Sequence, residues 1–91
     1  ALNPTLVSAH NNLASALLNQ GRFNEAEASY QQALKIDPQC DEAILELGHL
    51  QMDKGDMTEA EVLFRKVLAF NPDNLSARYH LAQLKKHNQM M

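Results

Sequence analysis

The sequence predicts an all-α fold, a solenoid of two stacked helix-turn-helix repeats closed by a C-terminal capping helix. Three observations carry this. Pro4, Pro38 and Pro72 are separated by 34 residues in both intervals (38 minus 4, 72 minus 38), and Leu13, Leu47 and Leu81, Ala9, Ala43 and Ala77, Gly21 and Gly55, and Ala26 and Ala60 keep the same spacing. Within each interval the apolar residues follow a helical period and none shows strand alternation. Other equivalent positions diverge freely, as with Asn11, Leu45 and Tyr79, which marks natural repeats rather than a synthetic consensus.

Each element follows from local signals. Leu6, Ala9, Leu13, Ala16 and Leu17 recur at helical spacing and Gly21 supplies a left-handed stop, so helix A of the first unit runs from Leu6 to Gln20. Its partner opens with Asn24-Glu25-Ala26-Glu27, and the second unit's partner with Thr58-Glu59-Ala60-Glu61; both are read as capping boxes. The first of these B helices reaches Ile36, where Pro38 forbids continuation. Asp41 to Lys54 forms the second A helix, ended by Gly55, and Glu59 to Phe70 the second B helix, ended before Pro72. A fifth helix starts at Leu75 and reaches Lys86 or His87; no third glycine follows, Gln89 standing in its place, so it is read as a cap with Asn88 to Met91 fraying. One domain covers 1–91, divided into 1–6 as the end of a preceding repeat, 7–40 as repeat 1, 41–74 as repeat 2 and 75–91 as capping helix and tail. Ala1-Leu2-Asn3-Pro4 aligns with Lys35-Ile36-Asp37-Pro38, which predicts a segment of a longer protein.

Composition narrows the function. A net charge of -3, with basic residues scattered rather than striped, excludes a phosphate-backbone binder and so argues against nucleic acid. No apolar run is long enough to insert in a membrane, and the start lacks a signal-peptide layout. Cys40, the single cysteine, rules out an internal disulfide and fits a reducing compartment, with the cytoplasm favoured.

The periodic prolines, small residues and aromatic positions resemble the tetratricopeptide repeat family. With Val7, Asp41 and Leu75 as first positions, the small eighth residue is Ala14, Gly48 and Ala82, the twentieth Ala26 and Ala60, and the aromatic twenty-fourth Tyr30 and Phe64. Gln51 departs from the family's tyrosine or leucine, and His10, Ile44 and Arg78 stand where tryptophan is common. The resemblance implies a right-handed α-α superhelix, TPR-like, that binds a protein or peptide in a concave groove lined by the A helices. Carried over by position, the groove residues are Ser8, Asn11, Asn12, Ser15, Leu18 and Asn19 from the first helix, Glu42, Leu45, Glu46, His49, Met52 and Asp53 from the middle one, and Ser76, Tyr79, His80 and Gln83 from the last.

Some family members clamp a chaperone's carboxylate tail with lysine, asparagine and arginine. Here the matching places hold Asn11, Ser15, Glu46, Ser76 and His80, with no cation, so an anionic tail would meet a carboxylate and be repelled. Asn11-Asn12 beside Leu13-Ala14 resembles O-linked N-acetylglucosamine transferase repeats, whose asparagines hold a peptide backbone. Asp41, Glu42, Glu46 and Asp53 face only Lys54 across 41–54, while 75–91 carries Arg78, Lys85 and Lys86, which favours a neutral or basic segment as partner.

Chemistry beyond binding is not encoded. His49 with His80, and Glu46 three residues before His49, fall short of a metal-ligand set, and His10 is expected to pack between helices. Cys40 near a helix start reads as a partly exposed, inert thiol, and no phosphate loop or nucleophile motif occurs. The expected function is a non-enzymatic protein-protein interaction scaffold with no cofactor and no catalytic or metal residues. The alternatives are a regulatory or substrate-docking segment of a larger enzyme, such as a glycosyltransferase or sulfotransferase, and a homo-oligomer formed through the apolar open end of the array.

Overall fold

The computed structural model describes residues 4–89, with side chains from residue 5 to residue 86. Five helices follow one another: α1 Pro4–Asn19, α2 Phe23–Ile36, α3 Asp41–Asp53, α4 Met57–Phe70 and α5 Leu75–Gln89. Every regular element among the described residues is helical, as the period requires. α1 begins at Pro4, two residues ahead of the expected Leu6, because proline's fixed φ suits a first helical turn whose amide needs no partner. Ala1, Leu2 and Asn3, assigned with residues 4–6 to a preceding repeat, lie outside the described residues. At the far end α5 extends through Gln89, past the expected end at Lys86 or His87; Met90 and Met91 lie outside the described residues.

The two turn glycines behave as the sequence required. Gly21 and Gly55 adopt φ of 75° and 86°, a region that side chains with a Cβ disfavour. In each turn the following amide reaches back five residues, Arg22 N to Leu17 O at 2.9 Å and Asp56 N to Gln51 O at 2.8 Å, which satisfies carbonyls the helix end leaves open. The capping boxes are a correction. α2 and α4 start at Phe23 and Met57, so Asn24 and Thr58 are already inside the helices and cannot cap them. Asp56 is the side-chain cap of α4, its Oδ1 accepting from Glu59 N at 3.1 Å. Arg22 precedes α2 without a capping hydrogen bond and pairs with Glu25 at 2.7 Å in the first turn.

Small residues set how closely the helices approach. Ala14, Ala26, Ala33, Ala43, Ala60 and Ala77 are fully enclosed, and a methyl group is what fits where two axes cross at about 8 to 10 Å. Tyr30 and Phe64 fill the space beside them, each with no exposed surface. One cluster joins α1, α2 and α3 through Val7, Leu17, Tyr30, Leu47 and Leu50. A second joins α3, α4 and α5 through Ile44, Phe64, Val67, Leu81 and Leu84. Leu34 and Leu63 pack against both, so the core is continuous along the stack. Polar ties reinforce it at its edge: Asp41 Oδ2 accepts from Asn71 Nδ2 at 2.6 Å and from Asn74 Nδ2 at 3.2 Å. The departure at Gln51 also resolves, since its Nε2 donates to Glu27 Oε2 at 3.3 Å and a buried amide is thereby satisfied.

Candidate functional site

The side chains expected to meet a partner come from α1, α3 and α5, and their exposure sorts them. Ser8, Asn12, Ser15 and Asn19 on α1, Glu42 and Asp53 on α3, and Ser76, Tyr79 and Gln83 on α5 are exposed. Leu18, Leu45, Glu46, His49, Met52 and His80 are half-buried, with one side against the core. Asn11 is the correction. Only 3% of it is exposed, and its Nδ2 lies 3.6 Å from Cys40 Sγ, bridging α1 to the start of α3. Helical geometry explains this: Asn11 sits one turn from Val7 and Ala14, which face the core, so it shares their side of α1. A peptide backbone held by Asn11 in the manner of the transferase repeats is therefore not supported by its position.

Cys40 is half-buried and stands as the residue before α3, making no capping hydrogen bond of its own. His10 is half-buried, in line with packing beside its neighbours. Ser15 ties the surface of α1 to α2, its hydroxyl 3.2 Å from that of Tyr30. Burial raises the Tyr30 pKa above its ordinary value of 10.0; the Ser15 hydrogen bond opposes this, and Glu46 and Glu42 add to it. Read in the sequence as a packing ring, Tyr30 also spends its buried hydroxyl on the link to Ser15.

At the other end of the surface four rings meet. His49 and His80 lie edge to face with centroids 4.3 Å apart. Phe64 stacks on His80 at 5.3 Å, and Tyr79 meets His80 edge-on at 5.2 Å. Gly48 makes this possible, because the space a Cβ would take is occupied by the Phe64 ring, whose Cε1 and Cζ lie 2.7 Å from that point. Burial first, and the neighbouring His49 second, lower the His80 pKa below its ordinary value of 6.5. His49 Nε2 is buried with no hydrogen-bond partner among the described residues. Beside the rings opens a cavity of about 250 Å³ lined by His49, Met52, Asp53 and His80. A hollow of about 370 Å³ at the α1–α2 turn is lined by Arg22 and Glu25, which pair with each other. Among the described residues no three histidine, cysteine, aspartate or glutamate side chains are placed to hold a metal ion, and no helix is long and apolar enough to cross a membrane.

A third set of residues defines the ends of the stack. Leu47 and Leu81 are 4% and 8% exposed beneath α2 and α4, whereas the equivalent Leu13 is 51% exposed. Ala9 and Ala16 are exposed on the same face of α1. Of the buried residues of α3, Ile44, Gly48 and Gln51 have as their equivalents on α5 Arg78, Ala82 and Lys85, all exposed. One end of the stack is thus apolar and the other basic.

Comparison with known proteins agrees with this architecture. Residues 65 in number are 37% identical to a stretch of the CTR9 homolog of Arabidopsis thaliana, covering 70% of this chain and 6% of that protein. A stretch of 55 residues is 36% identical to cellulose synthase 1 operon protein C of Komagataeibacter xylinus, covering 60% of this chain and 4% of that protein. The chain thus spans a small fraction of the length of the curated relatives it matches. The tetratricopeptide repeat family model matches residues 17–84. With paired helices, alanine or glycine at each crossing, buried Tyr30 and Phe64 beside them and a family model spanning most of the stack, the chain belongs to the tetratricopeptide repeat family.

Proposed function

We propose that this chain is a non-catalytic protein-protein interaction module whose A helices hold an extended or helical segment of a partner. Repeats of this family generally mediate such contacts. The observation that carries the reading is the mixed face of α1, α3 and α5, where exposed Ser8, Asn12, Ser15, Asn19, Ser76 and Gln83 surround half-buried Leu18, Leu45, Met52, His49 and His80. Polar groups with free valences can serve a peptide backbone, and part-buried apolar groups can seat its side chains. Residues 7–40 and 41–74 are the two repeats of this unit and the helix from Leu75 closes it.

Charge favours a neutral or basic segment. Glu42, Glu46 and Asp53 pair with no cation among the described residues, the ion pairs being Arg22 with Glu25, Lys54 with Glu27 and Arg65 with Glu61. A peptide array probed with this chain at low and physiological salt tests the reading, with Glu46→Lys as control. Binding of neutral and basic peptides that Glu46→Lys reduces is expected; a blank array, or one indifferent to the substitution, overturns it. A second reading, self-association through α1, is favoured by the exposed apolar face of Leu6, Ala9, Leu13 and Ala16. Light scattering across a concentration series that stays monomeric removes it.

A further inference from the structure

We propose that the cavity between α3 and α5, lined by His49, Met52, Asp53 and His80, is a socket for a cationic side chain of the partner, an arginine guanidinium. The proposal rests on the interaction reading above and assigns one anchoring contact within it.

Two features of the cavity favour a cation. Asp53 presents an exposed carboxylate that pairs with no cation among the described residues. That carboxylate stands in the last turn of α3, a turn with no basic residue, where the aligned peptide dipoles of the helix already give a negative potential. An acid there works against its own helix, and a bound cation gains from both the carboxylate and the helix end. Lys54, the nearest basic side chain in sequence, is held elsewhere by Glu27 at 3.0 Å.

Shape and polarisability narrow the cation to guanidinium. His49 and His80 offer flat ring surfaces, held at a fixed angle of 78° by their mutual contact and by the stacking of Phe64 behind His80. A planar guanidinium can lie against such a ring and still direct two N–H groups at one carboxylate, whereas an ammonium is a compact, strongly hydrated charge that does neither. Met52 lines the same space with a flexible thioether suited to the methylenes of a long side chain. A metal ion is disfavoured because no third ligand converges, and an anion because Asp53 repels it. Packing alone accounts for the rings that hold α5 on α3 and α4. It does not account for Asp53, which is exposed and touches none of them by hydrogen bond or ion pair.

The test is a titration of the ¹⁵N-labelled chain with N-acetyl-arginine methylamide, followed in amide and imidazole spectra, beside the lysine and citrulline counterparts. Citrulline keeps the shape and removes the charge. Saturable shifts at His49, Asp53 and His80 are expected with the arginine probe, several-fold weaker binding with lysine and none with citrulline. Asp53→Asn is expected to weaken the arginine probe by about tenfold, in the range of one charge-assisted hydrogen bond; it neutralises an acid at a helix C-terminus and so leaves the fold intact. Equal response to citrulline, indifference to Asp53→Asn, or shifts confined to other residues overturns the socket. Peptide-array ligands that bind Asp53→Asn as tightly as the unaltered chain overturn the socket and leave the interaction reading standing. Arginine saturation at these three residues beside a blank array supports the socket and removes the peptide surface.

Discussion

At residue scale, Gly48 determines more than its size suggests. Its equivalents are Ala14 and Ala82, and only here does an aromatic ring fill the place of the missing methyl. Gly48→Ala gains up to about 1 kcal/mol of helix propensity, but its Cβ would lie 2.7 Å from the ring of Phe64, which is fully buried and would have to shift. Overpacking of this kind costs about 1 to 3 kcal/mol, so the clash wins and a lower urea midpoint is expected. The ring it displaces is the one stacked on His80, which links this position to acid sensitivity. Because the folded pKa of His80 lies below its ordinary value of 6.5, the unfolded chain binds more protons just below that pH. The stability present above 6.5 is therefore lost as pH falls through the folded pKa. Urea midpoints measured from neutral to mildly acidic pH should fall across this window, and His80→Asn should flatten the fall.

Helix starts are where element-scale signals mislead. The sequence offers a box of Thr58 with Glu61, but α4 starts at Met57, two residues ahead of the expected Glu59, which moves the cap to Asp56. Asp56 carries the hydrogen bond to Glu59 N; Thr58 is in the first turn and exposed. Asp56→Ala should cost about 0.5 to 2 kcal/mol, and Thr58→Ala should stay within about 0.5 kcal/mol, a difference that thermal unfolding of the two variants resolves. The start of α5 uses the same device with Asn74, whose Oδ1 accepts from Ala77 N at 2.9 Å while its Nδ2 reaches Asp41. That residue both caps one helix and ties it to the start of another.

On the scale of the whole molecule, the stack makes identical residues unequal. Leu13 and Leu47 occupy the same place in successive repeats, but α2 covers Leu47 and no described element covers Leu13. Leu47→Ala should cost about 2 to 5 kcal/mol and Leu13→Ala well under half of that, since only the first leaves a cavity. Denaturant unfolding of both variants checks it.

The sequence by itself determined the five helices, the turn glycines, the small and aromatic packing positions and the family, because each depends on periodicity or on a backbone conformation that few residues tolerate. Tertiary structure alone decided which candidate residues are open: Asn11 turns inward to Cys40, the buried Tyr30 hydroxyl meets Ser15, and the rings of His49, Phe64 and His80 converge from three helices. Residues on different helices acquire a common environment only when the helix axes cross, and the angle of crossing is set by volumes summed over many side chains rather than by any local pattern.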